Sequence, residues 1–193
     1  MKTVNFGVMG AAKFAREHMA PAIHAADGAR LAALATSAPQ KAEPFQAFCP
    51  DLKLHSSYEH LLADPAIDAV YIPLPNHMHI DWATKALQAG KHVLVEKPVA
   101  LKAEEIDPLI ALRDQTGLQC AEAYMIVHHP QWQRAKALVA EGAIGALRRV
   151  DGAFSFSNRD MDNIRNRPET GGGSIPDIGV YTYGSARYVT EAE

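Results

Sequence analysis

Three residues of this sequence could together move a proton: Lys97, Asp177 and Tyr181. A phenol has a pKa of about 10 and is a weak base at neutral pH, unless a neighbouring ammonium group stabilises its phenolate. A tyrosine beside a lysine can therefore exchange the proton of an alcohol, and a carboxylate can orient that alcohol. Asp177 and Tyr181 lie four residues apart in a predicted helix, a spacing that places two side chains on one helix face.

Each of these residues also has a structural interpretation. Asp177 could stabilise the start of its helix through the helix dipole, and Tyr181 could be an ordinary half-buried helix residue. Lys97 stands between a predicted strand and Pro98. An extended residue at that point directs its side chain into the ligand crevice of a parallel sheet, although a solvated turn can have the same local sequence.

A second set of residues could bind a dinucleotide. Residues 10–15 lie at the first predicted strand-to-helix turn and read G-x-A-x-x-A, a relaxed form of the glycine-rich fingerprint. Small residues there permit a tight turn and let the backbone approach a pyrophosphate at the N-terminus of the helix. The alternative is a small-residue turn of the kind that any α/β protein can have.

The end of the second predicted strand bears on the choice between NAD and NADP. Folds that bind NAD place an acidic residue there to bind the ribose, whereas this strand ends in the sequence LATSA over residues 34–38. No carboxylate would repel a 2′-phosphate, and Ser37 and Lys41 could donate hydrogen bonds to it. We therefore expect NADP, with NAD as the second choice. The alternative is that Ser37 only caps the turn before Pro39.

Two histidine pairs, His77 with His79 and His128 with His129, raise the question of a metal site. The spacing of these residues does not match a structural Cys/His site, and two helix positions that are two apart do not face one another. We therefore expect no metal. His79 is predicted instead at the carboxyl edge of the sheet, where open α/β folds bind their ligands.

All of these residues depend on a sheet that brings the ends of its strands together. Apolar runs of strand length alternate with helical stretches, which predicts βαβ units wound into a parallel sheet. The predicted strands span residues 3–8, 30–36, 53–55, 67–72, 92–95 and 118–123. We expect an α/β fold, with a Rossmann-type doubly wound parallel sheet over residues 1–123.

The pattern changes from residue 124 onward. Residues 147–157 alternate apolar and polar side chains, which predicts a half-buried strand of an antiparallel sheet. Residues 124–193 are therefore interpreted as the incomplete N-terminal part of an α+β domain for substrate binding and dimerisation. One amphipathic strand cannot bury Phe154 and Phe156 alone, so a continuation of the chain or a homo-oligomer through this sheet is expected to cover them.

Composition excludes several classes of function. The 193 residues include 19 Lys and Arg against 22 Asp and Glu, so the net charge is −3 and there is no basic excess for nucleic acid or an anionic membrane. No apolar stretch approaches the ~20 residues of a membrane span, and two cysteines are too few for a disulfide scaffold. We expect a cytoplasmic protein that binds neither nucleic acid nor membrane.

Three segments resemble the Gfo/Idh/MocA oxidoreductases: residues 73–79 (PLPNHMH), residues 90–98 (GKHVLVEKP) and residues 171–181 (GGGSIPDIGVY). The resemblance is greatest to the branch that contains NADP-dependent D-xylose dehydrogenases and dimeric dihydrodiol dehydrogenases. This branch carries tyrosine where the inositol dehydrogenases carry histidine. Members of the family are usually much longer, so the chain looks truncated at its C-terminus.

The resemblance implies hydride transfer between NADP and a sugar or a related polyol or diol. Tyr181 would take the proton of a hydroxyl, Lys97 would hold both the hydroxyl and the phenolate, and Asp177 would orient the substrate. The residues implied at the cofactor are Gly7, Gly10, Ala11, Ala12, Ser37, Lys41, Pro73, Asn76, His79, Glu96 and Lys97. The alternatives are a catalytically inactive dinucleotide-binding fragment and a regulatory sensor of the same family, although a sensor would need none of the three catalytic residues for chemistry.

Overall fold

The structure of the chain, a computed structural model, describes residues 2–191. Its internal contacts divide the chain into two compact units, Met1–Glu122 and Ala123–Glu193. No helix within the described part of the chain combines the length and the apolar character needed to span a membrane.

The first unit is built on a six-stranded sheet with the strand order β3-β2-β1-β4-β5-β6. Its strands are β1 (Val4–Met9), β2 (Ala29–Ala35), β3 (Lys53–His55), β4 (Ala69–Ile72), β5 (His92–Glu96) and β6 (Cys120–Ala123). The pairs β1–β2, β1–β4, β2–β3 and β4–β5 are all parallel. The predicted Rossmann-type doubly wound fold is therefore confirmed, and its topological switch point lies between β1 and β4.

Helices connect these strands. They are α1 (Ala20–Ala25), α2 (Glu43–Gln46), α3 (Tyr58–Leu62), α4 (His79–Gln88) and α5 (Ile106–Thr116), with a π-helical segment (Ala15–Met19) before α1 and 3₁₀ turns at Pro39–Lys41, Asn76–Met78 and Ala103–Glu105. Local chemistry sets the ends of two of them. The Ser57 hydroxyl accepts a hydrogen bond from the His60 N–H at 3.1 Å at the start of α3, and Gly117 ends α5 with a φ of +69°.

The apolar core fixes the positions of the strand ends. Every residue of β4 is buried, which is expected because a central parallel strand has helices on both of its faces. Val70 and Ile72 are fully buried with Leu87 of α4, and Trp82 of the same helix is 7% exposed. Burying side chains of this size contributes roughly 1.5–3 kcal/mol each, so the loops that follow β1, β4 and β5 start from a rigid base.

A buried carboxylate joins β3 to the segment before β4. Asp64 accepts hydrogen bonds from Lys53 Nζ at 2.8 Å and from the Ala66 N–H at 3.0 Å, and its Oδ2 lies 3.1 Å from His55 Nε2. The hydrogen bond from Lys53, followed by that from the Ala66 N–H, lowers the pKa of Asp64 to about 2. Lys53, His55, Asp64 and Ala66 are called the Asp64 cluster below.

The second unit is mainly helical. It contains α6 (Pro130–Ala140) and α7 (Val180–Thr190), a π-helical segment (Ile175–Gly179), and 3₁₀ turns at Met125–His128, Ile164–Asn166 and Pro168–Thr170. Residues 147–157, which were predicted to form a strand, are irregular. No strand lies between residues 124 and 191 to pair with their backbone groups, and Phe154 and Phe156 stay about half exposed.

Candidate functional site

The turn after β1 requires glycine at position 10. Gly10 has a φ of +94°, and a Cβ there would lie 3.0 Å from Leu74 Cδ2 and 3.2 Å from the Tyr58 hydroxyl oxygen. The Gly10 N–H donates to the Ala35 carbonyl at 2.9 Å, which ties the turn to the end of β2. Since Leu74 follows β4, the turn lies at the switch point of the sheet, where α/β folds bind dinucleotides.

The other small residues of the fingerprint have different surroundings. Gly7 is buried in β1, where a Cβ would lie 2.8 Å from Leu61 Cδ2, so its small size lets α3 pack closely on the sheet. Ala11 and Ala12 follow Gly10 and are partly exposed. The first helical hydrogen bond of this connection runs from the Arg16 N–H to the Ala12 carbonyl at 3.0 Å.

Ser37 and Lys41 are exposed at the carboxyl end of β2. The 3₁₀ turn Pro39–Lys41 has Ala38 at its N-cap, and Ala38 offers no side-chain hydrogen bond. The alternative interpretation of Ser37 as the cap of this turn is therefore wrong. Both side chains are accessible to a group that binds beside the end of this strand.

The loop after β4 leads into α4 through His79. Its imidazole ring is fully buried, with Nδ1 2.7 Å from the Pro98 carbonyl oxygen and Nε2 2.7 Å from the Leu74 carbonyl oxygen. The ring thus joins the loop after β4 to the turn after β5. Pro73 and Asn76 lie on the same loop and are partly exposed.

Glu96 ends β5 in a partly buried hydrogen-bonded position. The Tyr71 hydroxyl donates to Glu96 Oε1 at 2.6 Å, and the Lys97 N–H donates to Oε2 at 3.3 Å. Burial raises the pKa of Glu96, an effect opposed by these hydrogen bonds and by electrostatic interactions with Lys97 and His79. Burial, together with the Glu96 charge, also raises the pKa of Tyr71. Lys97 follows at once, partly buried, and the peptide bond that joins it to Pro98 is cis.

In the second unit, Asp177 is 8% exposed and pairs with an arginine that sequence reasoning missed. Arg165 Nε lies 3.1 Å from Asp177 Oδ2. The intervening loop folds back on itself, because the Gly173 N–H donates to the Arg165 carbonyl at 2.8 Å and the Asp177 N–H donates to the Gly173 carbonyl at 3.1 Å. No periodicity links residues 165 and 177, so the only sequence signal is the group of arginines before the glycine run.

Aromatic rings hold the Tyr181 side chain on two sides. The Tyr124 ring stacks on it with centroids 5.8 Å apart, and the Phe154 ring meets it edge-on at 5.3 Å. The Tyr124 hydroxyl donates to the Val180 carbonyl at 2.8 Å, which anchors the stacked ring to α7. Asp177 lies in a π-helical segment and Tyr181 in α7, so their spacing differs from that of a regular α-helix.

The predicted site residues are therefore distributed over both units. The structure brings together Gly10, the loop after β4 and Glu96–Lys97 at neighbouring strand ends of the first unit. Asp177 and Tyr181 belong to the second unit. Among residues 2–191, no group of three or more His, Cys, Asp and Glu side chains is arranged to hold a metal ion.

Two family profiles match the chain. Residues 4–124 match an oxidoreductase family with an NAD-binding Rossmann fold, and residues 132–193 match a C-terminal domain of the same family.

Similar proteins include enzymes that act on sugars. The chain is 44% identical over 193 residues to the uncharacterized oxidoreductase ORF334 of Rhizobium meliloti, covering 100% of this chain and 58% of that protein. It is 38% identical over 183 residues to D-xylose 1-dehydrogenase (NADP(+)) 2 of Haloferax volcanii, covering 94% of this chain and 56% of the relative.

A solved structure is also similar. The crystal structure of KijD10, a 3-ketoreductase from Actinomadura kijaniata in complex with NADP and TDP-benzene, superposes with a TM-score of 0.92 at 33% identity. The match covers 98% of this chain and 58% of KijD10. The chain thus spans somewhat more than half the length of the proteins that it resembles.

Proposed function

The chain belongs to the Gfo/Idh/MocA family of oxidoreductases, and from that premise we propose that it transfers hydride between NADP and a sugar or a related polyol or diol. The observation that carries the proposal is the Gly10 turn at the switch point of the sheet, with Lys97 at the end of β5, which β4 separates from β1. The NADP named for the xylose dehydrogenase and for the KijD10 complex supports the choice of cofactor.

The cofactor would lie along the carboxyl edge of the first unit. The backbone of Gly10, Ala11 and Ala12 would face the pyrophosphate, because small residues allow close approach there. The exposed Ser37 and Lys41 would donate to the 2′-phosphate, which distinguishes NADP from NAD. The residues proposed for the ribose and nicotinamide end are Pro73, Asn76, Glu96 and Lys97. A direct contact of His79 with the cofactor, expected from the sequence, is not proposed because its ring is fully buried. Gly7 would act through the packing of α3.

Tyr181 is the proposed proton carrier. Its phenolate oxygen would take the proton of the substrate hydroxyl during oxidation, and the resulting phenol would return a proton during reduction. The resemblance to the family assigns to the ammonium group of Lys97 the stabilisation of this phenolate and the binding of the substrate oxygen. Asp177, held by Arg165, would accept a hydrogen bond from the substrate and orient it. The nicotinamide supplies the hydride acceptor or donor when it is bound.

A dinucleotide-binding unit without catalysis is the second candidate. The observation in its favour is that residues 147–157 form no strand, so Phe154, which contacts Tyr181, is itself about half exposed. The proposed substrate side of the site would then lack a rigid wall.

A homo-oligomer through the second unit and a cytoplasmic location stay predictions from the sequence.

Nicotinamide absorbance tests the proposal against this second candidate. The chain is mixed with NADP and a panel of aldoses, polyols and diols, and with NADPH and the corresponding ketones. Turnover in the wild type, its loss in Tyr181→Phe and unchanged NADPH affinity in that variant are the expected results. Tyr183→Phe is the matched control, because Tyr183 is an exposed tyrosine on the same helix. Equal turnover in Tyr181→Phe and the control would refute the proton-carrier role, and NADPH binding without any turnover would favour the second candidate.

A further inference from the structure

We infer that His79 is a positioning residue, held as a doubly protonated ring, that bridges the loop after β4 to the turn after β5 and so fixes the backbone beside Lys97. The inference about the ring stands on the first unit alone. Its relevance to catalysis rests on the proposed function. The three groups Leu74 C=O, the His79 ring and Pro98 C=O are called the His79 bridge.

The partners of the ring determine its protonation. Both nitrogens lie 2.7 Å from backbone carbonyl oxygens, those of Leu74 and Pro98. A carbonyl oxygen only accepts hydrogen bonds, and a neutral imidazole has a single N–H. A neutral ring would therefore place one nitrogen lone pair against a carbonyl oxygen at hydrogen-bond distance. Since the ring is fully buried, water could not relieve that contact.

Neighbouring charged groups act on the ring in opposite directions. Glu96 interacts electrostatically with His79, and its carboxylate compensates a positive charge there. The Tyr71 hydroxyl favours the ionised form of Glu96 by donating to it at 2.6 Å. Lys97 also interacts with Glu96 and carries the same sign of charge as the ring, so it opposes ring protonation. The two short contacts to carbonyl oxygens give the ring the additional stabilisation that a buried cation needs.

The bridge connects two parts of the first unit, the Gly10 turn and the Lys97 backbone, whose relative positions must be fixed for the proposed function. Leu74 lies against the Gly10 turn, and Pro98 directly follows Lys97. A rigid two-ended donor between these loops couples the Gly10 turn to the backbone of Lys97. Phenylalanine would fill the same space but donate no hydrogen bond, which leaves both carbonyl groups buried without this partner. His79 thus acts through its neighbours rather than by contact with substrate.

Nitrogen NMR of protein labelled at its histidine rings tests the protonation at pH 7.5 without any nucleotide. The His79 resonances are assigned by their absence in His79→Gln. Both ring nitrogens are expected to be protonated, with ring N–H protons that exchange slowly with water. A spectrum in which one nitrogen of His79 is unprotonated would overturn the inference. This measurement does not depend on the variant being active or on the proposed cofactor.

Hydrogen exchange tests the positioning role. In His79→Phe the backbone amide of Lys97 is expected to exchange at least about tenfold faster than in the wild type, because the turn that carries it loses its restraint. His77→Phe is the control, since His77 is exposed and only two residues away. Equal exchange of the Lys97 amide in both variants would overturn positioning. If His79→Phe does not fold, the same comparison is made with His79→Gln, whose N–H donors are both on one nitrogen and so do not reproduce the two separate donor positions of the ring.

NADPH titration of the same variants links the bridge to function. The affinity is expected to fall about tenfold or more in His79→Phe and to be unchanged in His77→Phe, because small displacements at a site have large effects. Equal affinity in the two variants would overturn the functional part of the inference. If the wild type binds no NADPH, the proposed function fails, while the ring spectrum and the amide exchange still decide whether the bridge exists.

Discussion

Replacing Gly10 by alanine separates two reasons for a glycine in the turn after β1. Gly10 has a φ of +94°, and a Cβ would lie 3.0 Å from Leu74 Cδ2 and 3.2 Å from the Tyr58 hydroxyl oxygen. Gly28 has a similar φ of +80°, but nothing lies within 4 Å of its Cβ position. Gly28→Ala therefore introduces backbone strain alone, whereas Gly10→Ala introduces the same kind of strain together with crowding.

The magnitudes follow from these two contributions. A left-handed backbone conformation costs a non-glycine residue roughly 1–2 kcal/mol, and crowding in a packed region costs roughly 1–3 kcal/mol more. Both substitutions lower the entropy of the unfolded chain to a similar extent, so that effect cancels in the comparison. Gly10→Ala is expected to reduce the free energy of unfolding by about 1–3 kcal/mol more than Gly28→Ala.

Urea unfolding measures this difference, and NADPH titration measures its functional counterpart. If the Gly10 turn receives the pyrophosphate, NADPH affinity falls by about tenfold or more in Gly10→Ala, equivalent to about 1.4 kcal/mol, and is unchanged in Gly28→Ala. The reasoning is refuted if the two variants lose equal stability and both retain the NADPH affinity of the wild type.

Three further predictions concern the scaffold. The Asp64 cluster lowers the pKa of Asp64 from 3.8 to about 2, so its stabilisation is present above about pH 4 and is lost as pH falls toward 2. Asp64→Asn should lower the free energy of unfolding by about 1–2 kcal/mol at pH 7, a figure that allows for the solvent exposure of Lys53. Urea unfolding of this variant should also depend less on pH between pH 4 and pH 2. An unchanged free energy of unfolding would contradict this prediction. Gly172→Ala should destabilise the second unit by several kcal/mol in thermal unfolding, because its Cβ would meet backbone carbonyl oxygens. A variant as stable as the wild type would contradict this prediction and show that the loop can adapt. Tyr124→Phe should lower the free energy of unfolding by about 1 kcal/mol, because it removes the hydrogen bond to the Val180 carbonyl. Tyr124→Leu also removes the ring stacked on Tyr181 and should therefore reduce any turnover. Equal turnover of the two variants would argue against a role for stacking.

Much of the first unit follows from local sequence patterns. The strands of a buried parallel sheet are short apolar runs, and the helix between β4 and β5 ends where Gly90 follows it with a φ of +76°. The positions of Gly10 and Lys97 at strand ends were predictable for the same reason. Because residues at strand ends inherit their location from the sheet, local pattern is enough to place them.

Other features depend on contacts between distant parts of the chain, so sequence patterns could not predict them. The alternation over residues 147–157 predicted a strand, but a strand forms only where another strand pairs with it, and residues 124–191 provide none. The Arg165–Asp177 ion pair depends on how the glycine run folds the loop back. Burial of the His79 ring depends on the turn after β5 closing over it, which the histidine spacing does not indicate.

The most direct test of the proposed cofactor site, on which the proposed function depends, is a calorimetric titration of the chain with NADPH and, separately, with NADH. Binding at the carboxyl edge of the sheet, with Ser37 and Lys41 beside the 2′-phosphate, predicts one saturable site per chain and tighter binding of NADPH than of NADH. It also predicts that Lys41→Ala narrows the difference between the two nucleotides, because the lysine would contact only the phosphate that NADH lacks. The absence of saturable binding of either nucleotide would contradict the proposal.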